Sequence, residues 1–241
     1  MSQNRLSRLA ELWWRRRHPD WADPAPGTEN PHFQLATRDV PRYLADRATL
    51  VARRLTNATP QPWITAEARR LLEAMLRPTD RGLEYGSGGT TTFFASRIAA
   101  LDSVEAVERW HDALAGRLRD QAVTNVNLHL VSAAQLGYRT PEHKRAYVNV
   151  LPDLAPGDLD LVFVDGEYRD ACALRAVDLL RPGGLLVLDN SETYLPGPGR
   201  SPWQVTRPAS QDWEKFVAAT SQWRQIWTSN GVWDTTLWVK P

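Results

Sequence analysis

The sequence predicts an α/β fold in which a mostly parallel sheet is covered by helices on both faces. From residue 81 onward, short apolar runs alternate with segments of helical periodicity. The runs at residues 159–165 and 185–189 are nearly continuous in apolar residues and each ends in an aspartate, which is typical of buried parallel strands. A turn with three glycines, Gly86, Gly88 and Gly89, joins the first strand to a helix.

Length and composition predict one large domain with an addition at its N-terminal side. The chain has 241 residues, 42% of them apolar, and a net charge of +1. This is enough for a single α/β core. We expect residues 1–61 to form a helical extension or lid and residues 62–241 to form the main domain.

Cysteine content and hydropathy indicate in which cellular compartment the protein is expected. Cys172 is the single cysteine, so no internal disulfide can form. No apolar run approaches the roughly 20 residues of a membrane span, and the first residues lead into charged sequence rather than a signal-peptide core. We therefore expect a cytoplasmic protein without a membrane span. The balanced charge gives no indication of nucleic-acid binding.

The N-terminal third is predicted to be helical. A first helix carries four apolar residues on one face, namely Leu6, Leu9, Leu12 and Trp13. We expect this face to dock on the protein itself rather than on a membrane. A second helix is predicted at residues 41–55, and a third runs from the N-cap Thr65 to Leu76.

Beyond the glycine turn, strands and helices alternate. Strands are predicted at residues 103–108, 127–131, 159–165 and 185–189, and helices at residues 110–122, 168–180 and 211–220. Residues 181–184 are predicted to turn the chain, and residues 190–210 form a loop long enough to be a lid. Residues 135–157 give a mixed pattern. A final hairpin is predicted around Asn230 and Gly231.

Four predicted strands end in a carboxylate, namely Glu84, Glu108, Asp165 and Asp189. Because the carboxyl ends of parallel strands meet at one edge of a sheet, we expect these side chains to line one ligand crevice. Three histidines fall in predicted loops and are expected at the surface, namely His18, His32 and His143.

An ordered set of motifs along residues 62–241 resembles the class I S-adenosylmethionine-dependent methyltransferases. The set comprises Glu84-Tyr85-Gly86-Ser87-Gly88-Gly89-Thr90, the acidic strand end at Glu108, Val164-Asp165-Gly166, Arg181-Pro182-Gly183-Gly184 and the final hairpin. The resemblance implies a Rossmann-like, doubly wound sheet of seven strands, mostly parallel, with the last strand antiparallel. It also implies that S-adenosylmethionine lies across the ends of the first strands.

The resemblance implies specific cofactor contacts. Gly86 and Gly88 would let the loop backbone approach the methionine part of the cofactor, and Glu84 would face its cationic end. Glu108 would accept hydrogen bonds from both ribose hydroxyls. The full set of implied cofactor-binding residues is Glu84, Tyr85, Gly86, Ser87, Gly88, Thr90, Glu108, Arg109, Ser132, Ala133 and Asp165.

The glycine turn also has to be compared with the dinucleotide-binding pattern. That pattern needs a third glycine five positions after Gly86, where the chain has Thr91. Glu84, two positions before the first glycine, suits a cationic ligand better than a pyrophosphate. A dehydrogenase is therefore a minor alternative. An aminopropyltransferase and a non-catalytic cofactor-binding or partner-binding domain on the same fold stay open as well.

The methyl acceptor is constrained by motifs that the chain lacks. Nucleic-acid amino-methyltransferases typically carry an Asp/Asn-Pro-Pro-aromatic motif after the fourth strand, where this chain has Asp165-Gly166-Glu167-Tyr168. Cytosine C5 enzymes need a Pro-Cys pair, whereas Cys172 follows Ala171 in a predicted helix and is expected to be buried packing. We expect a specialised small molecule or a peptide, methylated on a hydroxyl or carboxylate oxygen, with nitrogen as the second choice.

Three candidate catalytic residues follow the fourth strand, namely Asp165, Tyr168 and Arg169. Arg169 would hold an acceptor carboxylate through two parallel hydrogen bonds, or pair with Asp165 or Glu167. Asn190 and Trp203, after the fifth strand, are the predicted substrate contacts. Because methyl transfer from a sulfonium is an in-line displacement, alignment can do most of the work.

The same region resembles the catechol-type O-methyltransferases, in which an Asp after the fourth strand and an Asp-Asn pair after the fifth hold Mg²⁺. The corresponding residues are Asp165, Asp189 and Asn190, whose oxygens suit that ion. The catalytic lysine of that group is missing, since Tyr168 and Arg169 stand in its place. We therefore favour strand-end residues that act without a metal.

Tryptophan is unusually frequent, with eleven in the chain. Most of those near the terminal hairpin are expected to pack against the sheet. Trp13 and Trp14 would instead close the pocket from the N-terminal side or form a homodimer interface.

Overall fold

The computed structural model describes residues 37–45, 48, 62–201 and 203–241. A 3₁₀ turn, Thr37–Asp39, leads into helical residues 40–45, where the second helix is predicted. The predicted first helix, most of the second, Trp13, Trp14, His18 and His32 lie outside the described residues. Of the predicted extension at residues 1–61, only this short part is therefore described.

The described chain contains one sheet of seven strands. These are β1 (Arg81–Tyr85), β2 (Ala100–Glu105), β3 (Val126–Leu130), β4 (Leu159–Val164), β5 (Leu180–Asp189), β6 (Arg224–Ser229) and β7 (Asp234–Val239). Their order is β3-β2-β1-β4-β5-β7-β6. Strands β1 to β5 pair in parallel, and β7 runs antiparallel to both β5 and β6. The predicted sheet is confirmed: β7, the last strand, is antiparallel and lies between β5 and β6.

Seven α-helices fall within the described ranges. They are α1 (Ala66–Met75), α2 (Gly89–Ala95), α3 (Glu108–Asp120), α4 (Ala133–Leu136), α5 (Pro141–Val148), α6 (Arg169–Leu179) and α7 (Gln211–Ala219). Hydroxyl side chains cap several N-termini, as Thr65 does for α1 and Thr140 for α5, because they accept the otherwise unpaired backbone N–H groups. A second 3₁₀ turn, Ser191–Thr193, follows β5.

The core forms two layers, one on each face of the sheet. Along β4, Leu161 and Phe163 pack with α1 and α2, whereas the alternating residues Val162 and Val164 pack with α5, α6 and α7. This alternation follows from the two-residue period of a strand. Both faces of β4 are therefore buried, as the nearly continuous apolar run predicted.

Several predicted boundaries are wrong. Strand β2 ends at Glu105, not at residue 108, because residues 108–120 already form α3. Strand β5 begins at Leu180, so the predicted turn at residues 181–184 is part of the strand. The pairing of β4 with β5 shifts register at this point, because Leu159 pairs with Leu180 and Leu161 pairs with Leu185. The mixed stretch at residues 135–157 contains α5, a full helix that begins with Pro141.

Three packing expectations can be compared directly with the structure. Cys172 is fully buried on α6, as predicted. Trp213 and Trp238 are buried in the core, as the hairpin pattern indicated. Among the described helices, none combines the length and the apolar character that crossing a membrane requires.

Candidate active site

The glycine turn brings the loops after β1 and β4 into backbone contact. Gly86 has a φ of +95°, and a Cβ built on it would lie 2.5 Å from the backbone nitrogen of Gly166. A Cβ on Gly166 would in turn lie 2.1 Å from Tyr147 Oη. Both glycines are thus required by the protein's own packing. Contact with Gly166 is thus a reason for Gly86 that the sequence did not indicate, and the predicted approach of a ligand to its backbone stays a prediction.

Gly88 differs from Gly86 because, apart from its neighbours in the chain, no atom of the described residues lies within 4 Å of the Cβ that it lacks. Its backbone is extended, with a φ of 169°, and its N–H donates to Thr91 Oγ1 at 2.9 Å. Thr90 beside it is buried. The space in front of Gly88 is therefore open to a ligand, whereas the space at Gly86 is filled by the protein.

Glu84 is a buried carboxylate between the end of β1 and the first turn of α2. Its Oε2 accepts hydrogen bonds from Thr91 Oγ1 at 2.6 Å and Ser103 Oγ at 2.5 Å. Its Oε1 is buried and has no hydrogen-bond partner in the part of the chain that the structure describes. Burial raises the pKa of Glu84 to about 7, against the effect of the hydroxyl donors. A cationic or hydrogen-donating ligand would satisfy the unpaired oxygen.

Glu105 ends β2 and reaches the glycine turn, and the sequence prediction missed it. Its Oε1 accepts from the backbone N–H groups of Ala106 and Val107, and its Oε2 accepts from Ser87 Oγ at 2.9 Å. Burial raises the pKa of Glu105. The register that pairs Tyr85 with Val104 places this carboxylate next to the turn. In the sequence, an apolar residue precedes an acid both at Glu105 and at Glu108, so the pattern alone does not show which acid ends the strand.

Glu108 is not at a strand end, because it is the first residue of α3. It is exposed, and its Oε1 accepts from Ser132 Oγ at 2.8 Å. Ser132 caps α4, of which Ala133 is the first residue. Arg109 is exposed on α3. This group therefore lies past the ends of β2 and β3, as expected for Ser132 and Ala133 but not for Glu108.

Tyr85 contributes its backbone rather than its side chain to this edge of the sheet. Its ring is fully buried, and its Oη donates to the Val148 carbonyl at 2.8 Å. Its own carbonyl accepts from the Asp165 N–H at 2.8 Å. A side-chain contact between Tyr85 and a cofactor is thus incompatible with this packing.

The ends of β4 and β5 are joined by Arg169. The guanidinium forms an ion pair with Asp165 Oδ1 at 2.8 Å and donates to Asn190 Oδ1 at 3.1 Å. Burial raises the pKa of Asp165, and the Arg169 charge opposes that rise. Asp165, Arg169 and Asn190 are therefore brought together as predicted, with the arginine paired to the protein.

Asp189, at the end of β5, is buried and accepts from Thr235 Oγ1 at 2.7 Å. Burial and the nearby Asp165 charge raise the pKa of Asp189 to about 8. No group of three or more His, Cys, Asp or Glu side chains suited to a metal occurs among the described residues. The oxygens of Asp165 and Asn190 face a guanidinium, so the Mg²⁺ set formed by these residues with Asp189 does not fit that ion.

Tyr168, which is partly buried, and the buried His143 form a pair beside this edge. Tyr168 has a φ of +50°, and its Oη lies 2.7 Å from His143 Nδ1. His143 Nε2 lies 3.1 Å from the Val131 carbonyl, which can only accept, so the ring proton is on Nε2 and Nδ1 accepts from Tyr168. The predicted surface position of His143 is wrong: the residue belongs to α5 and is fully buried.

The loop after β5 contains polar atoms that sequence reasoning did not single out. Glu192 Oε2 accepts from the Asp234 N–H at 2.9 Å, and Asp234 Oδ2 accepts from Trp227 Nε1 at 2.7 Å. Their second oxygens and Trp203 Nε1 are buried and have no partner among the described residues. Burial raises the pKa of Glu192 well above its usual range, and the Asp234 charge adds to this. The loop and the start of β7 thus contribute buried polar groups near the end of β5.

The described N-terminal segment is tied to this loop by charge pairs. Arg200 donates two hydrogen bonds to the buried carboxylate of Asp39, and Arg42 pairs with Glu67 on α1. A cavity of about 370 Å³ lies between these groups and the end of β6. Residues 39–42 therefore form part of the wall beside the loop after β5.

Comparison with known proteins gives likeness in structure only. No family model and no curated protein matches the sequence. An rRNA methylase from Streptococcus thermophilus is 12% identical, with a TM-score of 0.46 over 72% of this chain and 94% of that one. An O-methyltransferase from Thermotoga maritima is 10% identical, with a TM-score of 0.45 over 77% and 69%. The [4+2]-cyclase SpnF is 13% identical, with a TM-score of 0.46 over 87% and 98%.

At these identities the comparisons concern the fold alone. The sheet itself has the seven strands and the antiparallel last strand that the sequence motifs implied. The chain has the fold of the class I methyltransferases.

Proposed function

We propose that this protein is an S-adenosylmethionine-dependent methyltransferase. The observation that carries the proposal is the composition of the turn after β1. Three features surround this one loop: an unpaired buried oxygen of Glu84, the open space at Gly88 and the strand-end carboxylate of Glu105. These three features match a ligand with a cationic end and a pair of hydroxyl groups.

Each part of the cofactor corresponds to a residue at this edge. Glu84 would receive the ammonium group, and Glu105 would accept hydrogen bonds from the ribose hydroxyls in place of the one from Ser87. Ser132 and Ala133 would lie beside the adenine, with Glu108 as an acceptor for its amino group. When bound, S-adenosylmethionine supplies an electrophilic methyl group on a sulfonium.

We assign the acceptor side to the ends of β4 and β5. Asp165 Oδ2 makes no hydrogen bond with any described residue, although Oδ1 is held by Arg169. The Asp165 side chain is 29% exposed, so its free oxygen can reach a substrate. In this role Asp165 takes the proton of an acceptor hydroxyl while the new O–CH₃ bond forms and the S–CH₃ bond breaks.

The available hydrogen-bonding groups favour a hydroxyl acceptor over a carboxylate. The Arg169 guanidinium is already paired with Asp165, whereas Asp165 Oδ2 can accept a hydrogen bond from an acceptor hydroxyl. An amine acceptor is the second candidate, because its N–H can donate to the same oxygen. We propose a specialised small molecule or a peptide as the substrate and the cytoplasm as the compartment.

Calorimetry with S-adenosylhomocysteine tests the cofactor site. We expect wild type to bind, Glu105→Gln to weaken binding by about tenfold or more through the lost ribose contacts, and Glu108→Gln to weaken it less. The two variants remove the same charge three residues apart, so each is the control for the other.

Two results would count against the proposal. Wild type that does not bind S-adenosylhomocysteine would remove the methyltransferase assignment. A larger loss in Glu108→Gln than in Glu105→Gln would return the ribose role to Glu108 while leaving the function in place.

A further inference from the structure

Arg169 directs all three of its guanidinium nitrogens at oxygens at the ends of β4 and β5. Nε donates to the Gly166 carbonyl at 3.1 Å, and Nη1 donates to the Asp189 carbonyl at 2.7 Å and to Asn190 Oδ1 at 3.1 Å. Nη2 donates to the Asp165 carbonyl at 2.8 Å and forms an ion pair with Asp165 Oδ1 at 2.8 Å. Four hydrogen bonds and one ion pair therefore hold this guanidinium against the protein.

The guanidinium is held firmly in this position. Its side chain is only 12% exposed. The ring of Tyr194 lies 5.6 Å from its central carbon, and Tyr194 stacks on the buried Trp213. The planar fork of an arginine loses little further freedom when several acceptors match its geometry. Arg169 is therefore a fixed positive charge rather than a mobile surface cation.

The atoms that Arg169 contacts include those that a divalent ion would need. Asp165 and Asn190 present their side-chain oxygens to the guanidinium. Asp189 Oδ1 accepts a hydrogen bond from Thr235 Oγ1 at 2.7 Å, and the Asp189 carbonyl accepts one from Arg169. Mg²⁺ requires several free oxygens arranged around one point. A second cation at this place would share its ligands with Arg169 and be repelled by it.

We propose that Arg169 is a resident cation that takes the place of a divalent metal at the ends of β4 and β5. It joins the two strand ends and orients Asp165 and Asn190 so that one polar atom of each, Oδ2 and Nδ2, is left for the acceptor. That last role rests on the proposed methyltransferase function, whereas the exclusion of metal does not. Arg169 is thus a positioning residue, and its guanidinium is paired with Asp165 rather than with an acceptor carboxylate.

Manganese binding tests whether Arg169 takes the place of a divalent metal, and the measurement does not depend on methyltransferase activity. Mn²⁺ is titrated into wild type, Arg169→Ala and Arg169→Lys, and the electron paramagnetic resonance signal of the free ion is followed. We expect wild type not to bind Mn²⁺ at these strand ends. Arg169→Ala should bind Mn²⁺ with an affinity about tenfold or more above that of wild type, because the side-chain oxygens of Asp165 and Asn190 become free. Arg169→Lys retains the charge and should exclude the ion. An Asp165→Asn change added to Arg169→Ala should abolish the gain.

Three outcomes would overturn the inference. They are Mn²⁺ bound by wild type and lost in Asp165→Asn, a folded Arg169→Ala that gains no affinity, and Arg169→Lys binding as tightly as Arg169→Ala. If Arg169→Ala does not fold, the wild-type titration with its Asp165→Asn control and the Arg169→Lys titration still decide. S-adenosylhomocysteine binding is measured on the same samples, so a failure of the cofactor assignment is distinguished from a failure of the cation assignment.

Discussion

Replacing Glu84 by glutamine connects the proposed cofactor site to pH. Burial raises the pKa of this carboxyl from 4.5 to about 7. Such a change corresponds to about 3 kcal/mol, the cost of ionising Glu84 in the ligand-free fold. Because the folded protein holds this proton more tightly than the unfolded chain, the stability due to Glu84 falls as pH rises to about 7 and is level above it. Glu84→Gln should remove that slope.

A ligand with a positive charge beside Glu84 Oε1 favours the ionised form. In the free protein, about a tenth of Glu84 is ionised at pH 6 and about nine tenths at pH 8. Binding at pH 6 should therefore release about one proton from Glu84, and binding at pH 8 very little. We expect the Kd of S-adenosylhomocysteine to fall about tenfold between these pH values in wild type through this group.

Isothermal titration calorimetry at both pH values, in two buffers of different ionisation enthalpy, measures affinity and proton release together. Glu84→Gln should bind more weakly and lack the proton release of Glu84. Glu142→Gln is the matched control, because Glu142 is 71% exposed on α5. The remaining titrating groups near the site are the same in wild type, Glu84→Gln and Glu142→Gln. The difference in proton release between wild type and Glu84→Gln therefore reports on Glu84 alone. Equal proton release at pH 6 by wild type and Glu84→Gln would refute the reasoning.

Three further predictions concern the surrounding structure. Gly86→Ala should lose about 2–4 kcal/mol in urea denaturation, because its φ is positive and the new Cβ meets Gly166, whereas Gly88→Ala should keep its stability and bind S-adenosylhomocysteine more weakly; equal stability losses would contradict this. The Cys172 thiol should react with a thiol reagent only after unfolding, since burial raises its pKa; rapid reaction of native protein would be the opposite result. Between pH 5 and pH 8, the free energy of unfolding should fall more steeply for wild type than for Glu192→Gln, because burial raises the Glu192 pKa; parallel curves would exclude that.

The difference between Glu105 and Glu108 illustrates what local sequence leaves undecided. Both acids follow an apolar residue in the same short run, and either position is compatible with a strand end. The choice is made by pairing with β1, where Tyr85 lies opposite Val104 and Gly86 N–H donates to the Val104 carbonyl. Register depends on a neighbouring strand, so a single run of residues does not specify it.

Arg169 and His143 show the same limit for side-chain roles. The sequence predicts that Arg169 contacts either an acceptor or an acid, and the approach of β4 to β5 adds the two oxygens of Asp189 and Asn190 to those of Asp165 and Gly166 nearby in the chain. His143 stands in a charged stretch with no clear pattern, yet it lies on α5, is buried and contacts Tyr168. Neither outcome follows from residue type, because each depends in part on partners more than ten positions away in the chain.

By itself, the sequence determined the doubly wound sheet, the glycine turn with Glu84 before it, and the aspartates that end β4 and β5. These features can be predicted from local periodicity and from residues with special backbone or charge properties. Tertiary structure alone decided that Gly86 serves packing against Gly166, that Glu105 is the acid beside the turn, and that a guanidinium fills the place considered for a metal. Each of these depends on which strand ends meet in space, and contact between distant segments is what local pattern does not contain.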